Sequence, residues 1–320
     1  MQINKTNKNG LIFLDISNDL GFSVTLCDLG ASIYSIILDN KEMTFVPESI
    51  SNFAKGSAYY GKTIGRLTGR HKKEIIIDEK TYSLIPNEGE LLLHGGRNGL
   101  SNKIFSFEIE MYIDYVKVIF KTTIKDLEDG LPGNLDVKVI YTIWKDKTDL
   151  KVEHIALSDK NTVCSLTNHA YFNLGDDFSK LSLKMNARNL VSVSRRILLP
   201  LGKKDILPCL DFSNYKKLVV NIDDEYLTDS RTNGYDHHFY LSEENPKISL
   251  RNDKIQLDIS TDYSGAQIYS DNYPDFKGRG TSKPFRRAVA IEPQESPLEE
   301  HPLKANEEYK KSILYRFKVI

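Results

Sequence analysis

The sequence predicts an all-β chain, a large antiparallel sandwich or barrel with few short helices. Three observations predict it: hydrophobic alternation with a period of two, turn chemistry between the alternating runs, and no amphipathic pattern of 10–15 residues that would make crossover helices. The alternation is strongest over 135–143, where apolar residues take the odd positions and Asp136, Lys138 and Thr142 take even ones. Residues 255–260 repeat it, and 115–120 place Val116, Val118 and Phe120 on one side and Tyr115, Lys117 and Ile119 on the other. Such alternation turns one set of side chains to a core and the other to water.

Along the chain, β-branched or aromatic runs at 11–16, 22–27, 33–38 and 74–78 read as the first strands, followed by 104–112 and the alternating 115–120 and 135–143. Further runs follow at 149–157, 163–167, 181–185, 247–251, 255–260, 287–291 and 309–319. Residues 129–134, with two Gly, a Pro and an Asn, form a loop, and Asn87-Glu88-Gly89 and Asn233-Gly234 are turns of the same chemistry. Short turns of helix are expected at 48–55 and 212–217. The polar stretch 221–236 is the best linker candidate, but it reads as a long loop because strand patterning resumes at His238. With no composition break or repeat, residues 1–320 read as one large β domain.

Composition limits the function. Of 320 residues, 40 % are hydrophobic and 27 % charged, enough to build a core. Lys plus Arg number 43 and Asp plus Glu 44, for a net charge of -1, which argues against general nucleic-acid binding. Cys27, Cys164 and Cys209 make neither a disulfide framework nor a CxxC pair. The polar start MQINKTNKNG lacks the apolar core of a signal peptide, and no apolar run is long enough for a membrane helix. A soluble cytoplasmic protein is expected, either a monomer or a homodimer.

A few residues carry chemistry. His94 ends the apolar run 91–93 and precedes two glycines, which allow close approach of a backbone or ligand, so its imidazole is placed at a cleft rim. His169 lies in a Thr-Asn-His cluster that interrupts apolar sequence, and buried polar groups need partners. His71, His154, His237, His238 and His301 carry weaker signals, and His154 reads as one face of a strand. No HExxH or HxH spacing indicates a metal site. Glu292 ends the apolar run 288–291, and a carboxylate there is costly to bury unless paired or used. Asp236, where a loop meets a strand, reads by itself as a turn cap. Residues 61–70, GKTIGRLTGR, lack the P-loop register, and their two arginines are expected to project from a turn, one outward and one into a site.

These blocks together resemble the aldose 1-epimerases, or galactose mutarotases: GKTIGRLTGR (61–70), LLLHGG (91–96), EDGLPGN (128–134), LTNHAYFNL (166–174), DHHF (236–239), QIYSDN (267–272) and AIEPQESP (290–297), in the family's order. The resemblance implies a galactose mutarotase-like β-supersandwich and interconversion of the α and β anomers of a free hexose such as galactose or glucose. By position it implies Glu292 as general base, His169 as general acid, Arg70 and His94 as substrate-binding and polarising groups, and Asp236 and Gln267 as ligands of sugar hydroxyls. No cofactor is implied, since the chemistry moves only protons. The chain departs from the family at Gly69, where Asn is usual, and after Glu292, where Ser296-Pro297-Leu298-Glu299-Glu300 replaces a Tyr-Pro-Asp-like turn. Two alternatives remain. One is a hexose-6-phosphate 1-epimerase, for which 277–287 offers five cations; the other is a non-catalytic carbohydrate-binding protein on the same fold.

Overall fold

The computed structural model describes residues 1–275, 278 and 285–320. Three antiparallel sheets dominate them. A nine-stranded sheet runs Ser106–Met111, Tyr115–Ile124, Leu135–Trp144, Asp149–Ser158, Glu308–Val319, Ile255–Thr261, Ile248–Arg251, Ser182–Met185 and Lys216–Lys217. A six-stranded sheet runs Tyr171–Phe172, Val289–Gln294, Gly265–Tyr269, Asp236–Leu241, Ala187–Val193 and Pro200–Lys204. A five-stranded meander covers Gln2–Lys8 to Lys41–Glu42.

Alternation explains how these sheets share a core. Val118, Phe120, Val139, Tyr141 and Val152 of the nine-stranded sheet lie in one buried cluster with Phe239, Ile268 and Ile291 of the six-stranded sheet and Leu14, Val24 and Ile36 of the meander. Each such side chain removed from water contributes about 1.5–3 kcal/mol. The six-stranded sheet thus spends one face on the core, and the side chains of opposite parity are left for its other face.

The expected strands appear with boundaries shifted by a few residues, and the run 163–167 divides into two short pieces, Thr162–Val163 and Thr167–Asn168. One expected helix forms, Ile50–Lys55, with the Ser49 side chain accepting from the Asn52 N–H as its N-cap. The other does not: 212–217 holds no helix, Lys216–Lys217 pairs as a short strand, and the second helix is Glu225–Thr228 inside the expected loop 221–236. Asp224 caps that helix through the Tyr226 N–H. No helix among the described residues is long and apolar enough to cross a membrane.

Arg66 corrects the expectation that one arginine of 61–70 points outward. It is fully buried, with Nε 2.8 Å from Asp129 Oδ2 and Nη1 donating to the Pro132 carbonyl and Thr162 Oγ1. The loop 128–134 therefore holds the base of the segment that carries Arg70.

Candidate active site

The free face of the six-stranded sheet is a grid of polar side chains. Pairing aligns His238 with Gln267 and Gln267 with Glu292, while Asp236 aligns with Tyr269, and Tyr269 with Ala290. The period of two sends Asp236, His238, Gln267, Glu292 and Gln294 to the side opposite Phe239, Ile268 and Ile291. His169 joins the grid from the neighbouring edge, where Tyr171 pairs with Ala290. Its segment is held twice: Thr167 Oγ1 donates to the Pro293 carbonyl at 2.6 Å, and Asn168 Nδ2 donates to the Gly61 carbonyl at 2.8 Å. The Thr-Asn pair read in the sequence as polar groups needing partners is what lashes His169 beside Glu292.

His94 closes the cleft from another side. Strand Leu91–Leu93 pairs with Arg70–Lys72, so His94 emerges next to Gly69. The Gly69 N–H donates to His94 Nδ1 at 3.2 Å, and the His94 N–H donates to the Gly69 carbonyl at 3.0 Å. Gly95, at φ 77°, has to be glycine, because a Cβ there would stand 2.1 Å from the Gly65 carbonyl oxygen.

All six residues expected from the sequence line one cavity of about 860 Å³: Arg70, His94, His169, Asp236, Gln267 and Glu292. His169 Nε2 lies 3.3 Å from Glu292 Oε1. The His94 ring meets His169 edge-on with centroids 5.3 Å apart, and Tyr59 packs on both rings. Asp236 is no turn cap: it begins strand Asp236–Leu241 and its carboxylate accepts from Gln267 Nε2 at 2.6 Å and faces Arg70 Nη1 at 3.5 Å.

Burial sets the electrostatics. Glu292 is 1 % exposed, and desolvation, aided by the Asp236 charge and opposed by Arg70, raises its pKa well above the carboxylate range. Desolvation pushes His169 down to about 3 and His94 well below its ordinary value. A carboxylate whose pKa is raised is a better base and an imidazole whose pKa is lowered is a better acid, so both shifts favour proton exchange with weakly acidic hydroxyls. Asp236 is also raised by burial, with Arg70 and Gln267 opposing.

Sequence reading missed four residues of the cleft. Glu88, read only as part of a turn, receives Arg70 Nε at 2.6 Å and Nη2 at 3.2 Å and orients that guanidinium. Tyr59 forms an aromatic wall; Gln294 and His238 lie on the sheet floor. Gln294 and His238 carried usable signals, their shared parity with Glu292 and Asp236; Glu88 and Tyr59 did not.

Of the five cations in 277–287, Lys277, Arg279 and Lys283 lie outside the described residues. The other two are already engaged: Arg286 faces Asp223 at 3.0 Å, and the buried Arg287 pairs with Asp271 at 2.6 Å.

Spacing in the sequence indicated no metal site, yet the fold brings His94, His169 and Glu292 together with donor atoms within 4.8 Å of one another. The donor chemistry fits a cation poorly. His94 Nδ1 accepts the Gly69 N–H, so the neutral ring carries its proton on Nε2 and has no free lone pair for an ion.

Comparison with known proteins agrees with this geometry. The family model described as Aldose 1-epimerase matches residues 13–316. An aldose 1-epimerase of Escherichia coli is 28 % identical over 335 aligned positions, covering 95 % of this chain and 94 % of that one. A galactose mutarotase of Bos taurus is 27 % identical, covering 85 % and 82 %. The crystal structure of a galactose 1-epimerase from Lactobacillus acidophilus superposes with a TM-score of 0.91 at 26 % identity, covering 99 % of both chains.

Proposed function

The chain belongs to the aldose 1-epimerase family of carbohydrate isomerases, and from that premise we propose that it interconverts the α and β anomers of a free hexose such as galactose or glucose. The observation that carries the reading is the His169–Glu292 pair, 3.3 Å apart on the cleft floor. The two oxygens that exchange protons in a hemiacetal, the anomeric hydroxyl and the ring oxygen, are bonded to one carbon. An acid and a base that act on them have to converge, as these two do.

In the proposed mechanism Glu292 takes the proton of the C1 hydroxyl while Nε2 of protonated His169 donates to the ring oxygen. The bond between C1 and the ring oxygen breaks and leaves an open-chain aldehyde. Rotation about C1–C2 presents the other face, and the reverse transfers close the ring. The pair needs one proton in total. Burial that raises Glu292 and lowers His169 keeps that count over a wide pH window between their two apparent pKa values, with the proton resting on Glu292 and passing to His169 Nε2 across their 3.3 Å contact before the step above. His94, with its proton on Nε2, donates to a sugar oxygen, and Arg70, fixed by Glu88, does the same. Asp236 and Gln267 accept and donate to ring hydroxyls and hold the sugar for reaction.

The hexose-6-phosphate alternative loses support from Arg286 and Arg287, both already paired. The non-catalytic alternative has to account for an acid and a base buried in contact. Polarimetry on freshly dissolved α-D-galactose and α-D-glucose tests the proposal: the rotation relaxes faster with protein than without. Absence of acceleration on both sugars overturns it, and a faster reaction on glucose 6-phosphate selects the phosphate alternative.

A further inference from the structure

Two side chains on the cleft floor have no place in the mechanism above. His238 is 2 % exposed and neither ring nitrogen has a hydrogen-bond partner among the described residues; Gln294 is 1 % exposed and its Oε1 has none among them. Both line the cavity that holds the acid–base pair. Polar atoms out of water are normally bonded, and each left unbonded is a cost to the fold. Of the other unbonded buried atoms among the described residues, His169 Nδ1 and Glu292 Oε2 belong to the acid–base pair, and the rest, His154 Nε2 and Tyr315 Oη among them, belong to residues that do not line this cavity.

The register places the two on adjacent rows of one face, with strand Gly265–Tyr269 between them. Gly265 pairs with Tyr240 on one side and Gln294 on the other, and His238, two residues from Tyr240 and on the same face, sits opposite Gln267. A Cβ on Gly265 would stand 2.3 Å from His238 Nε2, so the missing side chain is what allows the imidazole to lean across Gly265 towards the row of Gln294. On the other side of Gln294, a Cβ on Gly69 would lie 4.0 Å from its Nε2, so Gly69 places only backbone there. This row lies beyond Glu292, away from the row of Asp236.

We propose that His238 and Gln294 form a second recognition station that binds one hydroxyl of the sugar, separate from the station of Arg70, Asp236 and Gln267. This inference rests on the sugar substrate proposed above. The donors and acceptors fit a hydroxyl. Burial, with a smaller push from His301, holds His238 down to about 3, so near neutrality its ring offers one donor and one acceptor, and Gln294 Oε1 adds an acceptor. A hydroxyl both donates and accepts and satisfies such a set. A phosphate or carboxylate meets an acceptor oxygen and an uncharged ring, with neither member of the station supplying a cation. A site built in this way discriminates against an analogue lacking the hydroxyl, because the loss leaves its own buried atoms unpaired.

The test measures binding by calorimetry and kcat and KM by polarimetry, on galactose and its 2-, 3-, 4- and 6-deoxy analogues. The proteins are wild type, Gln294→Met, His238→Asn and His238→Phe. Gln294→Met keeps the shape of the side chain, and His238→Asn keeps a small polar group should the phenyl ring not fit. Gln294→Met and His238→Phe are expected to raise KM and weaken binding by roughly 10- to 100-fold on galactose, with kcat little changed. On one deoxy sugar the wild type is already weakened by a similar factor, and there the substitutions cost no more than about twofold. Equal losses on every sugar indicate a purely structural role and overturn the proposal, as does no loss on any sugar or no binding of any hexose. Wild type that binds with this hydroxyl dependence yet fails to accelerate mutarotation sinks the proposed activity and leaves the station standing.

Discussion

Two buried histidines on different sheets separate what burial does from what a site does. His154 lies on strand Asp149–Ser158 inside the nine-stranded sheet, and His169 lies beside the six-stranded sheet; desolvation pushes both down to about 3. Their partners differ. His154 Nδ1 meets the Tyr263 hydroxyl at 3.0 Å, whereas His169 Nε2 meets the Glu292 carboxylate at 3.3 Å on the wall of a cavity. A depressed imidazole pKa is therefore no mark of catalysis in this molecule. The mark is a second ionisable group at contact distance, shifted the opposite way, where a ligand has room.

The largest expected effects test that contrast directly. Glu292→Gln keeps the amide shape but cannot take a proton, and the mutarotation rate is expected to fall by about 10²–10⁴. His169→Asn removes the proton donor and is expected to lose a similar factor of about 10²–10⁴. In polarimetry with matched protein concentrations, near-wild-type rates for either variant would remove that residue from the mechanism.

His154→Asn sharpens the comparison from the other side. The residue is fully buried among strands and does not line the cleft, so its loss leaves a cavity and strips the Tyr263 hydroxyl of one of its two partners, the other being the Tyr309 hydroxyl. Stability is expected to drop by about 1–3 kcal/mol in urea unfolding, while kcat changes little. If kcat instead fell as far as in His169→Asn, the distinction between the two histidines would be lost.

How much of this was legible in the sequence follows from the same physics. Strands with one wet face announced themselves: Leu135–Trp144, Tyr115–Ile124 and Ile255–Thr261 alternate because one set of side chains enters the core. Gln2–Lys8 and Pro200–Lys204 did not, since both are edge strands with mostly polar, exposed side chains. Residues 212–217 were misread because apolar and polar residues alternate too briefly to distinguish a helical turn from a short edge pairing. The six site residues span positions 70 to 292, and no local spacing relates them; only the resemblance of ordered motifs brought them together before the fold did. Glu88 and Tyr59 remained hidden because their roles, orienting Arg70 and packing on two imidazoles, exist only through contacts distant in sequence.

The buried histidines and Glu292 titrate in opposite directions. His71 and His237 are pushed down to about 4, and His154, His169 and His238 to about 3, each by burial. A depressed folded pKa gives stability that is fully present above the unfolded value near 6.5 and is lost as pH falls towards 3–4. Acidification from pH 7.5 to 5 is therefore expected to lower the melting temperature, by roughly 2–4 °C per kcal/mol lost. Glu292 acts the other way. Its raised pKa gives stability that is present below about 4.5 and is lost as pH rises through the folded value. Glu292→Gln, inactive, is then expected to melt higher than wild type at pH 8, with the gap closing towards pH 4. A variant less stable than wild type at pH 8 would contradict the burial cost assigned to that carboxylate.

The smallest expected effect is that of a chelator. His94, His169 and Glu292 have the composition of a metal site, and their donor atoms fall within 4.8 Å of one another. Yet the proposed reaction moves protons between oxygens, and the Gly69 N–H already occupies the lone pair of His94 Nδ1, which leaves Nε2 protonated as a donor. If the three groups act as acid, base and hydrogen-bond donor, exhaustive dialysis against EDTA leaves kcat and KM unchanged. Added Zn²⁺ inhibits only by competing with the sugar for the pair, and so raises the apparent KM. Activity that disappears with EDTA and returns with a divalent ion would instead assign the three residues to a metal, and the contrast between His154 and His169 would become one of ligation rather than of proton transfer.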